Sequence, residues 1–392
     1  MENFISTIST KVIFGKGAIS HLGEEFSLLK TKKILIVYGS NRIEKNGILD
    51  DVVNTCIEQN IQYELFSNIK ANPTLRRAKE GVEIAKKFCP DLILAIGGGS
   101  VIDTAKAIAI GALSQFDLWD IWTQKVKVDK AINVAAILTI AAAGSEMSDS
   151  AVLTNEDTKV KRGLSSVKII CKFAIEDPTY LMTLPKYQIA CGVVDILMHT
   201  LDRFFYPKEK QNNDMTDEIS YAVLKNVIKN GKIAYDNPKN YKALSEIMWS
   251  SSLSHNGITG FGTSRDFTCH QLGHELSAMF DVAHGASLSC VFGALSRYLV
   301  DKDIDRYVAL ANNVWKIDGN DLNTALKGIK AFEDYFKSLD MPTSLKELNC
   351  SDFNNSVIEK LAYNCTRGQT RTICTYFPMG MKEIIEVYNS AK

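Results

Sequence analysis

The chain has 392 residues, too many for one small core and enough for about two domains. A hydrophobic fraction of 46% and a charged fraction of 23% are those of a folded globular protein, and 45 basic residues balance 45 acidic ones to a net charge of zero. That balance excludes the charge signature of a nucleic-acid binder or of an anionic-membrane binder.

The chain opens with MENFISTIST, which lacks a basic flank and a long apolar run, so no signal peptide is expected. No later apolar run approaches a membrane span. Thr10–Gly17 reads as a short strand and turn, and Ala18–Leu29 as a helix. Lys33–Tyr38, KILIVY, has no polar alternation, the pattern of a strand covered on both faces; it ends at Gly39-Ser40. A helix around Ile48–Gln59, a strand at Gln62–Phe66, a turn at Asn72-Pro73-Thr74 and a helix through Lys87 follow. Asp91–Ile96 is a second buried strand, running into Gly97-Gly98-Gly99-Ser100 and a helix at Val101–Leu113. Ile132–Thr139 is a third, and Ile175–Pro178 closes another. Strands alternating with helices imply a parallel, Rossmann-like sheet whose ligands bind beyond the strand carboxyl ends.

The GGGS turn sits at such an end. It fits a tight turn with Ser100 as N-cap and Asp103 as the acid of a capping box. Three consecutive glycines exceed what a turn needs, which favours a phosphate held by backbone N–H groups, with Asp103 and Lys106 close to it. The spacing is not the usual dinucleotide fingerprint, because Ile102 stands at the last glycine position. For Lys106 the plain alternative is a solvated surface lysine.

After Thr183-Leu184-Pro185 the β-type runs nearly vanish and helical periodicity continues to the C-terminus. The expected division is an α/β nucleotide-binding domain over residues 1–184 and an all-helical domain over 185–392, with a ligand cleft between them. In the helical part, Asp195 and His199 are four residues apart inside the apolar run CGVVDILMHTLDR, so a helix puts them on one face. Their burial is costly unless compensated. A divalent metal and an internal Asp–His hydrogen bond are both adequate, and this stretch alone leaves the two open. His270 and His274 repeat the spacing, and His284 follows a turn at Asp281–Ala283. These five residues are candidate ligands, of which four suffice. Imidazole and carboxylate without thiolate suit Zn²⁺ or Fe²⁺. The nine cysteines form no CxxC pair, which fits free thiols in a reducing cytoplasm. His21 and His255 stand alone and read as ordinary surface or packing histidines.

Taken together, TKVIFGKG, the NPT turn at Asn72, LAIGGGSVIDTAKAIA, GSE at Gly144, the Asp177-Pro178 pair, GVVDILMHT, MWSSSL and CHQLGHELSAMFDVAHG resemble the iron-containing alcohol dehydrogenases, near the bacterial butanol dehydrogenases. The resemblance covers nearly the whole chain. It implies a dehydroquinate synthase-like fold, a nucleotide-binding α/β domain followed by a helical metal domain. It implies Fe²⁺ (or Zn²⁺) on Asp195, His199, His270 and His284, with His274 as a proton-relay group and not a ligand. It places a nicotinamide dinucleotide along Gly39, Ser40, Asn72, Gly97, Gly98 and Ser100, with Asp103 nearby, Thr139 at the nicotinamide half and Lys161 on the cofactor side. A homodimer in the cytoplasm is expected on the same ground.

The chain departs from the family pattern at three places. Ala141 and Ala143 stand where relatives usually carry Pro and a further Thr. Gly39 replaces the Asp of NAD-preferring relatives, and Arg42 can pair with a 2′-phosphate, so NADP(H) is favoured over NAD(H), although Glu44 takes one basic position. His255 replaces the usual Ile before Asn256-Gly257. The implied chemistry is hydride transfer between NAD(P)H and a short to medium-chain aldehyde or primary alcohol. Two alternatives are a dehydroquinate-synthase-like metal lyase and a nucleotide-binding module without catalysis. The lyase needs a cluster of basic residues, and the sequence near the metal-type residues offers only Arg203 and Arg265.

Overall fold

The computed structural model describes residues 3–39, 41–206, 213–263 and 266–392. Ser40 and Arg265, singled out above, lie outside the described residues. The chain divides into two units, one of Thr7–Leu184 and one of Pro185–Lys392 joined by the N-terminal residues up to Ser6.

In the first unit the strands are β1 (Lys11–Phe14), β2 (Lys33–Tyr38), β3 (Gln62–Phe66), β4 (Leu92–Gly97), β5 (Asn133–Leu138), β6 (Ser150–Asn155), β7 (Val160–Ser165) and β8 (Phe173–Glu176). Six form one sheet in the order β1-β8-β5-β4-β2-β3, every pair parallel. β2, β4 and β5, read as apolar runs, are buried at nearly every position because helices cover both faces. The helices are α1 (Leu22–Leu28), α2 (Asn41–Lys45), α3 (Ile48–Glu58), α4 (Leu75–Phe88), α5 (Gly99–Gly111) and α6 (Leu118–Trp122). From β2 the chain moves outward to β3, and from β4 it moves the other way to β5. The carboxyl ends of β2 and β4 therefore flank a topological switch point, where a doubly wound sheet opens a crevice. Gly39 follows the first of these strands and the GGGS turn the second.

The α5 entry differs from the expected capping box. Gly98 is the cap, in extended backbone, and Ser100 lies within the helix. Gly97 is required by close approach, since a Cβ there would overlap Val101, and a Cβ on Gly98 would sit 3.0 Å from that of Ile140. Asp103 does not return to the cap. Its carboxylate accepts from the Ser145 hydroxyl and, at 2.9 Å, from the Val152 amide. Lys106 is not a solvated surface lysine. It is fully buried, and its Nζ donates to the carbonyls of Ser145 at 2.6 Å and of Ser148 and Ser150 at 2.8 Å. Three carbonyls match the three donors of an ammonium, which is what makes its burial tolerable.

The antiparallel hairpin β6–β7 was not expected. Its outward positions include Arg162 and Ser165 while Lys161 is turned inward, and the apolar alternation is short. Its turn follows Asn155, whose side-chain oxygen accepts from the Asp157 and Thr158 amides at 3.1 and 3.2 Å.

The second unit is helical: α7 (Lys186–Phe204), α8 (Asp214–Asp236), α9 (Tyr241–His255), α10 (Thr268–Phe280), α11 (His284–Leu299), α12 (Ile304–Trp315), α13 (Leu322–Ser338), α14 (Leu345–Leu348), α15 (Asn355–Cys365) and α16 (Met381–Ser390). α7 is its axis, buried almost all round from Ile189 to Phe204, with apolar residues on most of its surface and one buried polar stripe. α8, α9, α10 and α11 pack around it. At Gly285 the backbone of α11 meets that of α7, where a Cβ would lie 2.6 Å from the Cys191 Cα. Among the described residues no helix is long and apolar enough to cross a membrane.

Candidate functional site

α7 carries Asp195, His199 and Asp202 at positions i, i+4 and i+7, one stripe along the helix. All three are buried. α10 brings His270 against this stripe, and Asp195, His199 and His270 offer ligand atoms that all lie within 4.8 Å of one another. His284, the first residue of α11, places Nε2 3.8 Å from Asp195 Oδ1. His274, partly exposed one turn beyond His270, has its ring centroid 5.1 Å from that of His284 and 6.2 Å from that of His270.

The ring nitrogens are sorted by their hydrogen bonds. His199 Nδ1 donates to the Asp195 carbonyl at 2.9 Å, leaving Nε2 for a ligand. Asp202 accepts from His270 Nδ1 at 2.6 Å, and from the backbone amides of Cys269 and His270 at 3.1 and 3.0 Å. Those two amides belong to the first turn of α10 and have no partner within the helix. Asp202 thus closes the end of α10 and turns His270 so that Nε2 faces Asp195. A carboxylate behind a metal-ligating imidazole has this orienting role.

His270 Nε2 stands 3.4 Å from Asp195 Oδ1. Both atoms are buried, and neither completes a hydrogen bond. With Nδ1 as the donor to Asp202, a neutral His270 presents a lone pair to a carboxylate oxygen. A cation between them relieves that opposition, and so does a proton. Burial works against a charge on His270, but the carboxylates of Asp195 and Asp202 beside it prevail and raise its pKa. Burial also opposes ionisation of Asp195, yet the histidines around it hold its carboxyl well below the ordinary value. His199 is lowered by burial and by His270. Of the internal Asp–His pairing left open by the sequence, only proximity is present: His199 Nδ1 lies 3.2 Å from Asp195 Oδ1, while its hydrogen bond goes to the Asp195 carbonyl. The donor set, one carboxylate and imidazoles in a buried cluster, fits a divalent ion of the Fe²⁺ or Zn²⁺ type.

His255 departs from its reading as an isolated histidine. It ends α9, and its ring centroid is 4.2 Å from that of His199. His199 is equally close to His270, at 4.2 Å. A separation of 56 positions hid the contact of His199 with His255, as one of 67 positions hid that of Asp202 with Cys269, and no spacing rule links them.

In the α/β unit, the residues expected at a cofactor fall into two groups. Gly39, Gly97, Gly98, Ser100 and Thr139 lie at or just beyond the ends of β2, β4 and β5, with the Thr139 amide on the Gly97 carbonyl at 3.0 Å. Asn72 and Lys161 are buried and paired, Nζ to Oδ1, at 3.2 Å. The Asp103 carboxyl, raised by burial, is drawn down by the charges of Lys106 and Lys161. Arg42 was not expected where it lies. It donates to the Thr139 carbonyl and hydroxyl at 3.3 and 3.4 Å and to the Thr183 hydroxyl at 3.2 Å. The Tyr38 hydroxyl donates to Glu44 at 3.0 Å, which sets a carboxylate beside the end of β2.

The family model for iron-containing alcohol dehydrogenase matches residues 9–178, and that for the C-terminal part of the Fe-containing alcohol dehydrogenase family matches residues 189–392. The chain belongs to the iron-containing alcohol dehydrogenase family. Within it, the chain is 37% identical to the NADH-dependent butanol dehydrogenase A of Clostridium acetobutylicum over the full length of both proteins. It is 32% identical to the NADPH-dependent aldehyde reductase YqhD of Escherichia coli, covering 88% of this chain and 89% of that one. The crystal structure of the NADH-dependent butanol dehydrogenase A of Thermotoga maritima superposes with a TM-score of 0.95 at 34% identity, over 100% of this chain and 99% of that one. As a member of this family the protein is an alcohol dehydrogenase or aldehyde reductase, an oxidoreductase.

Proposed function

We propose that the protein reduces short to medium-chain aliphatic aldehydes to primary alcohols, and runs the reverse reaction, with NADP(H) in preference to NAD(H) and with one Fe²⁺ or Zn²⁺ ion. The observation that carries the metal assignment is the buried, unbonded pair of Asp195 Oδ1 and His270 Nε2, 3.4 Å apart. Asp195, His199, His270 and His284 would hold the ion. When bound, it polarises the substrate oxygen as a Lewis acid, and the nicotinamide gives or takes the hydride. Asp202 keeps His270 in the ligating tautomer. His274, partly exposed beside His270 and His284, moves the hydroxyl proton.

Gly39, Gly97, Gly98, Ser100 and Thr139 would receive the dinucleotide at the switch point, where the first amides of α5 would bind its pyrophosphate. Ser40, Asn72 and Lys161 belong to the same proposed set. Asp103 serves by bracing the Ser145–Val152 segment. The preference for the phosphorylated cofactor rests on the missing carboxylate at Gly39 and on Arg42. Glu44 works against it, and the named relatives include enzymes of both preferences. A homodimer in the cytoplasm is proposed on family likeness, and sedimentation of the purified protein tests the dimer.

The test is butyraldehyde-dependent oxidation of NADPH and of NADH by metal-stripped protein, with Fe²⁺ or Zn²⁺ returned. Metal-restored turnover, faster with NADPH at limiting cofactor, is the expected result. Faster turnover with NADH would keep the reaction and remove the argument from Gly39 and Arg42. No turnover with either ion or cofactor would overturn the reading and favour a lyase on the same scaffold.

A further inference from the structure

Arg203 follows Asp202 on α7 and is 4% exposed. A guanidinium keeps its protons at any working pH, so burial obliges it to find acceptors. Its Nη1 donates to the His199 carbonyl at 3.0 Å and to the Ser254 carbonyl at 2.8 Å. Its Nη2 lies 2.9 Å from His255 Nδ1, and because the arginine can only donate, that nitrogen accepts. The guanidinium carbon sits 4.8 Å from the centre of the Phe267 ring, which fixes its plane. A Cβ on Gly260 would come within 2.8 Å of Arg203 Cδ, so the loop after α9 also confines the side chain.

These contacts form a closed circuit. The backbone of His199 binds Arg203, Arg203 binds the His255 ring, and the His255 ring lies edge to face on the His199 ring at 4.2 Å. Hydrogen bonding fixes one nitrogen of His199 but leaves its ring free to swing about the bond to Asp195. The rings of His255 and His270 restrict that swing. We propose that His255, held by Arg203, is a positioning residue for His199, and that it sets how tightly the cluster retains its metal. This rests on the metal reading above. Support that orients a ligand is worth about 10- to 100-fold in metal affinity when it is lost.

The test compares the parent with H255A, H255F and H255N. Zn²⁺ affinity is read by competition with a chromophoric chelator, and ligand geometry by the visible absorption of the Co²⁺-loaded protein. Thermal melting of the metal-free proteins separates folding from metal retention. H255A is expected to weaken Zn²⁺ binding about 10- to 100-fold and to alter the Co²⁺ bands. H255F keeps a ring and H255N keeps an acceptor for Arg203, and both are expected to fall between H255A and the parent. If H255A does not fold, H255N decides, with the same loss expected in part. Parental Zn²⁺ affinity and unchanged Co²⁺ bands in the folded variants would reduce His255 to packing and overturn the proposal. A parent that takes up no stoichiometric Zn²⁺ would instead overturn the metal reading on which it stands.

Discussion

Asp202 serves a helix end and an imidazole with one carboxylate, and this double duty makes its replacement informative. D202N retains an acceptor oxygen but loses the charge that draws the His270 Nδ1 proton. Zn²⁺ affinity is expected to fall about 10- to 100-fold, measured by chelator competition, while the fold persists. An unchanged affinity would mean that His270 does not need Asp202 to ligate. Arg42 gives a second test at this scale. It now donates to Thr139 and Thr183, and a 2′-phosphate would draw it away. R42A is expected to raise the KM for NADPH several-fold more than that for NADH, and equal rises in initial-rate measurements would sink its assigned role. Asp195, His199, His270, His274 and His284 were legible in the sequence as candidate ligands, and only the family resemblance set His274 apart from the other four. Asp202 was not, although it lies on the same face seven residues after Asp195. Its meaning is set by two amides and a ring from a distant helix, and a charged residue before an arginine reads as a helix surface.

The elements most legible in the sequence were those whose environment is uniform. β2, β4 and β5 are apolar at nearly every position because both faces are covered, and α7 is largely apolar because it is enclosed. Elements that depend on tertiary partners were lost. The β6–β7 hairpin buries a lysine, Lys161, within a short and mixed alternation, and Lys106 has a composition that says solvent while its three carbonyl partners come from beyond β5. K106M tests that clamp. It leaves three carbonyls without their donor in a dry site, and each such loss costs roughly 1–3 kcal/mol. Denaturant unfolding should show the α/β unit destabilised by about 3 kcal/mol or more, and the KM for cofactor should rise. A stability within about 0.5 kcal/mol of the parent, the range of a surface substitution, would show that the carbonyls find other donors.

For the whole molecule, the proposed metal would join side chains from α7, α10 and α11, so its free energy of binding is also stability of the helical unit. At a free ion concentration 100 times the dissociation constant, the gain is about 2.7 kcal/mol. Scanning calorimetry of the protein with and without chelator should therefore show the transition of the helical unit shifting down. The transition of the α/β unit should hardly move. A chelator effect equal on both, or absent, would contradict a site confined to the helices. The parallel sheet and the family fold were legible because their signals repeat along the chain. The convergence of five of the six histidines was not. Four could be paired by spacing or by motif, but His255 reaches the cluster only through the packing of α9 on α7.

Gly285 bears on how this scaffold can be altered. The backbones of α7 and α11 touch there, between Asp195 on one helix and His284 on the other. The spacing of these two side chains is consequently gauged by main chain against main chain, with no deformable side chain between. Laboratory evolution toward new alcohols has little freedom at this contact. A methyl group at position 285 would act as a shim, prying apart the two jaws that close on the ion, and a library that varies this codon should return almost only glycine.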